Sequence, residues 1–421
     1  MSTAAPRRAP AAAFRVPFDV GDPRFAADRD AAYRWLLEEA PVCAAKVSIL
    51  RTTLVSRYDD CMLLLRDPRF VRNRTTATGG RRLPFPMPRA VALLARSMIV
   101  EDDPAHGRLR GLVQKAFTSS AIAALEPGIE AHAHALVDAM QVKAAAKGGV
   151  KAHVDLLTDY AEPLPSAVIA AMLGLTQADL PHLRGGLKAL TSGLSGWRVI
   201  TTLLRDLPRM GRFVRELIAH KRRAPGADIL SALIHAEEAG DRLDEDELVS
   251  MVFLLIVAGL ETTVHLIGNA VVTLLAHPGQ LARLRAEPAL LETAVEEVIR
   301  YRGPILGTKP AYALEPVTLS GVTIPRGAMV MPMLGAANHD PAVFAGPDVF
   351  DIGRTPNRHL GFGRGIHFCL GAPLARMEAR IALAVLLERA PGLRLAVPAD
   401  ELELVPMPFW HRHRTIPVRF D

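Results

Sequence analysis

The feature of the sequence that most restricts its fold is a succession of helix-length segments running from residue 22 to about residue 310. Proline, glycine and aspartate separate these segments at the spacing of helix ends. Aromatic residues make up only 5% of the 421-residue chain, so the core must be built from leucine, valine, isoleucine and alanine. Such a core is typical of helices packed on helices. The sequence therefore predicts a large, mainly α body.

The period of the pattern changes after Pro310. Residues 317–325 alternate and carry β-branched side chains, which predicts a hairpin that turns near Gly321. Residues 374–389 predict a further helix, and short strands follow Leu393. Because no internal repeat or shift of composition marks a boundary, we expect one α+β domain over residues 14–421. A disordered Ala/Pro tail, residues 1–13, precedes it.

Charge and cysteine content exclude several classes of protein. The net charge is +6 without a long Lys/Arg run, so no nucleic-acid partner is predicted. Cys43, Cys61 and Cys369 cannot form a disulfide framework. The N-terminal segment has no uninterrupted apolar stretch of the signal-peptide type, and the longest one in the chain, residues 251–260, is too short to span a bilayer. We expect a cytoplasmic monomer that does not bind membranes.

Cys369 lies in the glycine-rich segment of residues 362–371, which reads FGRGIHFCLG. Glycines let the backbone approach a large planar ligand, and the predicted helix that follows would favour an ionised sulfur. An isolated thiolate of this kind suits a metal that takes one axial protein ligand. A buried structural cysteine is the alternative, and it is our interpretation of Cys43 and Cys61, which have no such frame.

The sequence FGRGIHFCLG with the following LARME resembles the haem-ligand signature of the cytochrome P450 family, the haem-thiolate monooxygenases. The resemblance implies a single triangular, mainly α fold and a non-covalent haem b whose iron is bound by Cys369. It also implies that Phe362, Gly363 and Gly371 shape the haem pocket beside that sulfur. The resemblance is dense over residues 245–378.

A long helix is predicted upstream, from about Glu245 to Ala276. Asp244 and Glu247 form a plausible N-terminal capping pair, and the dipeptide His277-Pro278 ends the pattern. Its apolar run is interrupted by the sequence AGLETT at residues 258–263. A mid-helix glycine destabilises a helix by about 1 kcal/mol relative to alanine, so we expect Gly259 to have a structural or functional role.

The family resemblance supplies roles for this interruption. Ala258 and Gly259 would shape the site of O₂, and Glu261 and Thr262 would be the catalytic acid–alcohol pair that passes protons. A carboxylate in an apolar helix is costly unless it is used or paired. The alternative is that Glu261 pairs with a neighbouring arginine while Thr262 bonds back to helix carbonyls.

Glu297 and Arg300 are three residues apart and can pair on one helical face. Alone this pattern is a weak signal, because most such pairs are solvated surface contacts. By resemblance, the pair is buried and ties its helix to the loop that precedes the haem cysteine. The predicted loop partners are Arg354 and His359.

His106 and Arg110 are four residues apart on a predicted helix. By resemblance they clamp the two haem propionates together with His367, since arginine and histidine donors suit carboxylates. One position departs from the family pattern: Ala311 stands where many members have a propionate-binding arginine. Either Lys309 or Tyr312 substitutes for it, or one propionate is held less tightly.

The resemblance implies a monooxygenase that inserts oxygen from O₂ into an apolar small molecule. No Rossmann or flavin segment is recognisable, so the implied electron donors are a ferredoxin and its NAD(P)H-dependent reductase. They would dock near Arg108, Lys115 and Arg364. The alternatives are a peroxide-driven enzyme of the same fold, which usually lacks the acid–alcohol pair, and a non-catalytic haem-binding module.

The substrate pocket implied by the resemblance is formed by four segments: residues 76–99, 190–212 and 305–308, and the turn near Met407. Its apolar side chains suit a fatty acid, a polyketide or a terpenoid. Arg81, Arg82 and Arg89 could anchor a carboxylate at the mouth, but solvated arginines are the preferred interpretation.

Overall fold

The structure is a computed structural model that describes residues 14–47, 50–79, 97–147, 153–176, 179, 201, 205–236 and 241–420. The predicted tail, residues 1–13, lies outside the described residues. So do Arg81, Arg82 and Arg89 and much of two predicted pocket segments, at residues 80–96, 190–200 and 202–204.

Helices dominate the described part of the chain, as the sequence predicts. In chain order they are α1 (Pro23–Ala27), α2 (Arg29–Glu38), α3 (Tyr58–Arg66), α4 (Arg74–Thr78), α5 (Ala105–Ala116), α6 (Ser119–Ala123), α7 (Glu126–Lys147), α8 (Pro163–Leu173), α9 (Leu207–Arg223), α10 (Ile229–Ile234), α11 (Glu245–Ala276), α12 (Pro278–Ala286), α13 (Leu291–Arg302), α14 (Leu334–Ala337) and α15 (Ala372–Arg389).

Eleven short strands are present among the described residues. They are β1 (Phe18–Asp19), β2 (Val42–Val47), β3 (Leu50–Val55), β4 (Phe70–Val71), β5 (Val154–Asp155), β6 (Ala311–Ala313), β7 (Val317–Leu319), β8 (Val322–Ile324), β9 (Met329–Pro332), β10 (Arg394–Leu395) and β11 (Pro417–Arg419). They form a six-stranded sheet of order β1-β2-β3-β9-β6-β4, a three-stranded sheet β10-β11-β5, and the hairpin β7-β8.

Helix α11 runs through the largest hydrophobic cluster and packs against α8, α13 and α15. Its capping box is as predicted: Asp244 Oδ1 accepts the Glu247 N–H at 2.8 Å, and Glu247 Oε2 accepts the Asp244 N–H at 3.0 Å. By length and composition α11 could cross a membrane, with a mean hydropathy of 1.9, but 61% of that apolar window is buried inside the protein. A buried core helix passes the same test, and that is the role α11 has here.

The β portion is partly predicted by the sequence. The hairpin β7-β8 is confirmed, with Ser320 and Gly321 at positive φ in its turn. The antiparallel pair β2-β3 was missed, because residues 22–310 were interpreted as mostly helical. Strand β3 is held by parallel pairing with β9, about 280 residues further along the chain, and no local pattern reports such a partner.

Candidate active site

Cys369 ends a loop whose conformation depends on glycine. Its backbone N–H donates to the carbonyl oxygen of Phe362 at 3.0 Å. Gly363 and Gly365 have φ of 68° and 72°, in the left-handed region that other L residues rarely adopt. A Cβ on Gly365 would also lie 2.2 Å from the carbonyl oxygen of Leu65. The predicted glycine frame is therefore required by the backbone at these two positions.

Cys369 is half-buried beside the N-terminus of α15, which begins at Ala372 rather than at the predicted Leu374. Burial raises the pKa of the thiol, whereas the N–H groups of Gly371 and Ala372 and the guanidinium groups of Arg110 and Arg376 act to lower it. A Cβ on Gly371 would have no described atom within 4 Å. The surroundings thus offer the donors and positive charges that stabilise a thiolate, next to open space.

His106 on α5 contacts His367, with ring centroids 4.4 Å apart and ring planes at 63°. Both ring nitrogens of His106 and Nε2 of His367 are buried without a hydrogen-bond partner among the described residues; the carboxylate of Asp103 lies 3.7 Å from His106 Nδ1, beyond hydrogen-bond distance. Burial is the main cause that lowers the pKa of both imidazoles, that of His367 to about 3. Arg110 follows His106 by one turn of α5, and its positive charge also lowers the pKa of both imidazoles. Each unpaired buried nitrogen costs about 1–3 kcal/mol, so this cluster favours a ligand with acceptor oxygens.

The middle of α11 presents a small polar face. Ala258 is exposed and Thr262 half-buried, although the last three turns of the helix are almost wholly buried. Thr262 Oγ1 donates to the Ala258 carbonyl at 2.6 Å, and Thr263 Oγ1 donates to the Gly259 carbonyl at 2.8 Å. Thr262 therefore does bond back to the helix, as the alternative interpretation has it, but its oxygen keeps acceptor capacity towards the open side.

Gly259 lies against α8. A Cβ at this position would lie 2.8 Å from Cδ1 of Ile169, the end of a flexible side chain that can move aside. Helix packing therefore favours a small residue here without requiring glycine, and the role that the family resemblance suggested stays a prediction.

Glu261 lies one residue before Thr262, and its carboxylate has two basic neighbours. Arg412 Nη1 donates to Glu261 Oε2 at 3.3 Å, and His265 Nε2 lies 3.6 Å from the same oxygen. Arg412 also contacts Met407 Sδ at 3.8 Å. Arg412 was not predicted, because 151 residues separate it from Glu261 and no local pattern links them.

Glu297 and Arg300 form the buried pair that the sequence predicts. Arg300 donates to both Glu297 oxygens at 2.7 and 2.8 Å, and its guanidinium also reaches the carbonyls of Asn338 and Pro347. Arg354 donates to Glu297 through Nε at 3.1 Å, as expected. The pair ties α13 to the loop before Cys369.

His359 was predicted as a partner of the same pair, and that prediction is wrong. Its Nε2 lies 3.0 Å from Glu296 Oε2 instead, because adjacent residues of a helix point to different sides. Glu296 also accepts two hydrogen bonds from Arg376 at 2.6 and 2.8 Å. Burial alone would raise the pKa of Glu296, but Arg376 and His359 lower it to about 2. Arg376, the arginine of LARME, therefore joins α13 to α15.

The predicted docking cations are not equivalent. Arg108 is paired with Asp241 at 3.1 Å and with Glu247, so much of its charge is offset within the protein. Arg364 lies over the ring of Phe368 at 5.8 Å, and Ile366 between them is 45% exposed. The surface beside Cys369 thus carries an exposed apolar side chain next to an arginine.

Ala311 is buried in β6. Two residues were proposed as replacements for an arginine there. Tyr312 is half-buried with Arg74 as its charged neighbour, and the carbonyl oxygen of Lys309 accepts a hydrogen bond from Arg72. Arg72, which the sequence reasoning missed, follows the strand that pairs with β6.

Comparison with known proteins gives a consistent result. A family model described as Cytochrome P450 matches residues 210–390. The polyketide biosynthesis cytochrome P450 PksS of Bacillus subtilis strain 168 is 39% identical over 83% of this chain and 84% of its own. The mycinamicin IV hydroxylase/epoxidase of Micromonospora griseorubida is 41% identical over the same shares. The structure of myxobacterial cytochrome P450 CYP267B1 in complex with myristic acid matches with a TM-score of 0.87 and 38% identity, covering 96% of this chain and 98% of that one.

Proposed function

Because this chain belongs to the cytochrome P450 family, and is a haem b monooxygenase of that fold, we propose that it hydroxylates an apolar acyl-derived molecule, a fatty acid or polyketide. We also propose that it works as a cytoplasmic monomer with a ferredoxin-type electron donor and an NAD(P)H-dependent reductase. The observation that carries the site assignment is the half-buried Cys369 at the start of α15, where backbone N–H groups and the guanidinium groups of Arg110 and Arg376 act to stabilise a thiolate.

The residues of the site fit a haem. Cys369 would supply the thiolate ligand to the iron, and Phe362, Gly363 and Gly371 would border the porphyrin. The unpaired nitrogens of His106 and His367, with Arg110 nearby, are donors for propionate carboxylates. The buried Nε2 atoms of His106 and His367 have no hydrogen-bond partner among the described residues, and an acidic ligand at this place would satisfy them.

Haem bound through a thiolate supplies the oxygen-activating chemistry, since this ligand favours cleavage of the O–O bond. The chain's own part is to place the substrate and to control protons. We assign Glu261 and Thr262 to proton supply: the Thr262 hydroxyl lies on the open face of α11, and the Glu261 carboxylate is the adjacent acid. Ala258, one turn before Thr262, leaves room on the same face.

The proposed substrate class rests on two relatives and on the described part of the pocket. PksS is named for polyketide biosynthesis, and CYP267B1 was solved with myristic acid. In this chain the segment around Ile305 is fixed by the C-terminal loop: the Leu306 N–H donates to the Phe409 carbonyl at 2.8 Å. Ile305 and Met407 are half-buried, and such side chains suit an apolar chain.

The electron donor is proposed to dock beside Cys369, where Ile366 is exposed and flanked by Arg364. An arginine next to an exposed apolar side chain is complementary to an acidic partner surface, and we propose that the donor has such a surface. Arg108 contributes less net charge to this surface, because it is paired with Asp241 and Glu247.

The test is an absorption titration of the haem-loaded protein with fatty acids of several lengths, a macrolide and several terpenoids. A shift of the Soret band to the high-spin form with fatty acids or the macrolide is expected. A response to terpenoids alone, or to none of the panel, would overturn the proposed substrate class. Cys369→Ala should abolish the thiolate-type ferrous–CO spectrum, whereas the matched control Cys43→Ala should keep it; a retained spectrum in Cys369→Ala would refute the ligand assignment.

A further inference from the structure

We infer that Arg72 binds a haem propionate in this protein, in place of the arginine that is missing at Ala311. This assignment concerns how this particular chain holds its cofactor and does not depend on the proposed substrate or electron donor.

Strand β4 pairs antiparallel with β6, with Phe70 opposite Ala313 and Val71 opposite Tyr312. Continuing this register by one residue places Arg72 opposite Ala311. The two positions are therefore neighbours across the sheet edge, and an arginine on β4 can reach the space that an arginine on β6 would fill. Ala311 is 5% exposed, and its small side chain leaves that space to Arg72.

The guanidinium of Arg72 lacks a dedicated anion. It donates to the carbonyl oxygen of Lys309 and forms no ion pair with any residue that the structure describes. The carboxylate of Asp102 accepts the backbone N–H groups of Arg72 and Asn73, at 2.6 and 2.9 Å. Burial lowers the pKa of Arg72 to about 10, against a smaller opposing effect of Asp102. A cation in this position is stabilised by a further carboxylate.

Arg72 is also tied to the start of α5, which carries His106 and Arg110. The carboxylate of Asp102 accepts the Arg72 N–H at 2.6 Å, and the carbonyl oxygen of the same residue accepts the His106 N–H at 2.9 Å. Haem has two propionates, and Arg72 from the end of β4 and Arg110 from α5 would provide a cation for each.

The other candidates are less suitable. Burial lowers the pKa of the Lys309 ammonium, and the charge of Arg72 lowers it further. A lysine also cannot make a forked contact with a carboxylate. Tyr312 has Arg74 as its charged neighbour. Arg72 has a forked donor, lies opposite Ala311 in the strand register, and has no anionic partner among the described residues.

The experiment measures the rate at which the purified holoenzyme loses haem to excess apomyoglobin, followed in the Soret band. Arg72→Leu should lose haem roughly tenfold faster than the wild type, the size of one charge-assisted hydrogen bond. The ferric/ferrous midpoint potential should become more negative, because removal of a nearby cation favours the ferric form. Introducing Ala311→Arg into Arg72→Leu should restore slow haem loss.

The matched control is Arg69→Leu. Arg69 belongs to the same segment, and its substitution removes the same charge. Unlike Arg72, it pairs with Asp67 at 2.6 Å, and its side chain is 41% exposed. Equal haem-loss rates and potentials for Arg72→Leu and Arg69→Leu would overturn the inference, and so would a failure of Ala311→Arg to restore haem retention.

A second measurement covers the case in which Arg72→Leu does not fold. Arg72→Lys keeps the positive charge, and it can be loaded with haem or with its dimethyl ester, which has no propionate carboxylate. The substitution should speed the loss of haem but have little effect on the loss of the ester. An equal effect on both ligands would show that Arg72 does not act through a propionate.

Discussion

The guanidinium of Arg412 lies 3.3 Å from the carboxylate of Glu261, and both side chains are mostly buried, with 15% and 17% exposed. Arg412 belongs to the C-terminal loop, whereas Glu261 lies in the middle of α11. His265 Nε2 is 3.6 Å from the same carboxylate. Glu261, the acid proposed for proton supply, is thus held in place by Arg412, a residue of a segment far from α11 in the sequence.

Arg412→Gln should therefore impair proton supply while leaving haem binding intact. Without the cation, the carboxylate of Glu261 is free to adopt other rotamers, and we expect a several-fold lower ratio of product formed to NAD(P)H consumed. The effect should be largely absent when Glu261→Gln is already present, because both changes act on one group. The measurement is a double-mutant cycle on this coupling ratio, together with the Soret spectrum.

The control for this cycle is Arg414→Gln. Arg414 is two residues away but 55% exposed and pairs with Glu403. If Arg412→Gln and Glu261→Gln lower the coupling ratio additively, Arg412 does not act through Glu261.

Thr262→Ala should keep the haem and divert reducing equivalents to hydrogen peroxide. The substitution removes the hydroxyl from the open face of α11, and a positioned proton donor typically contributes 10²-fold or more to a step. We expect the ratio of hydroxylated product to peroxide to fall by at least about tenfold. Both products are measured against NAD(P)H consumed in the reconstituted system.

Thr263→Ala is the matched control, because Thr263 makes the same type of hydrogen bond, to Gly259, but is buried. Unchanged coupling in Thr262→Ala, or an equal loss in both variants, would remove Thr262 from the proton path.

The parts of this structure that the sequence predicted are those specified by neighbouring residues. The capping box of Asp244 and Glu247 fixed the start of α11, and the glycines around Cys369 predicted a loop that only they can form. The pairing of Glu297 with Arg300 follows from helical spacing. Each of these signals lies within a few residues of the structure it predicts.

The parts that the sequence did not predict depend on distant segments. Arg412 reaches Glu261 from the C-terminal loop, and Arg72, directly after the edge strand β4, donates to the carbonyl oxygen of Lys309. His359 was assigned to the wrong glutamate, since one residue along α13 changes the side of the helix that faces the loop. Spacing within one element cannot report which residue of another element arrives beside it.

Glu297→Gln should strongly destabilise the protein. It leaves the guanidinium groups of Arg300 and Arg354 without their shared carboxylate, and breaking a buried ion pair in this way costs about 3–5 kcal/mol. We expect a lower free energy of unfolding in urea and a smaller haem-loaded fraction after expression.

Glu292→Gln serves as its control, because Glu292 is an exposed residue of the same helix. A Glu297→Gln protein as stable as this control would contradict a structural role for the Glu297–Arg300 pair.

Glu378 gives a prediction for the pH dependence of stability. Its side chain on α15 is 3% exposed, its Oε2 has no hydrogen-bond partner among the described residues, and burial raises its pKa from 4.5 to about 8. The folded protein therefore retains this proton between pH 4.5 and about 8, whereas the unfolded chain releases it. Since the folded state then binds more protons than the unfolded state, this group makes stability fall as pH rises through that window.

Glu378→Gln should remove this contribution. Its free energy of unfolding, relative to the wild type, should rise by up to about 4 kcal/mol between pH 5 and pH 8. The two proteins are compared by the slope of their free energy of unfolding against pH. The packing of glutamine in the buried site does not affect this slope, because it changes stability equally at both ends of the range. Glu388→Gln, an exposed change on the same helix, should parallel the wild type. If the wild type and Glu378→Gln have the same slope, the Glu378 carboxyl is already ionised in the folded protein, and a donor or cation not seen in this structure must reach it.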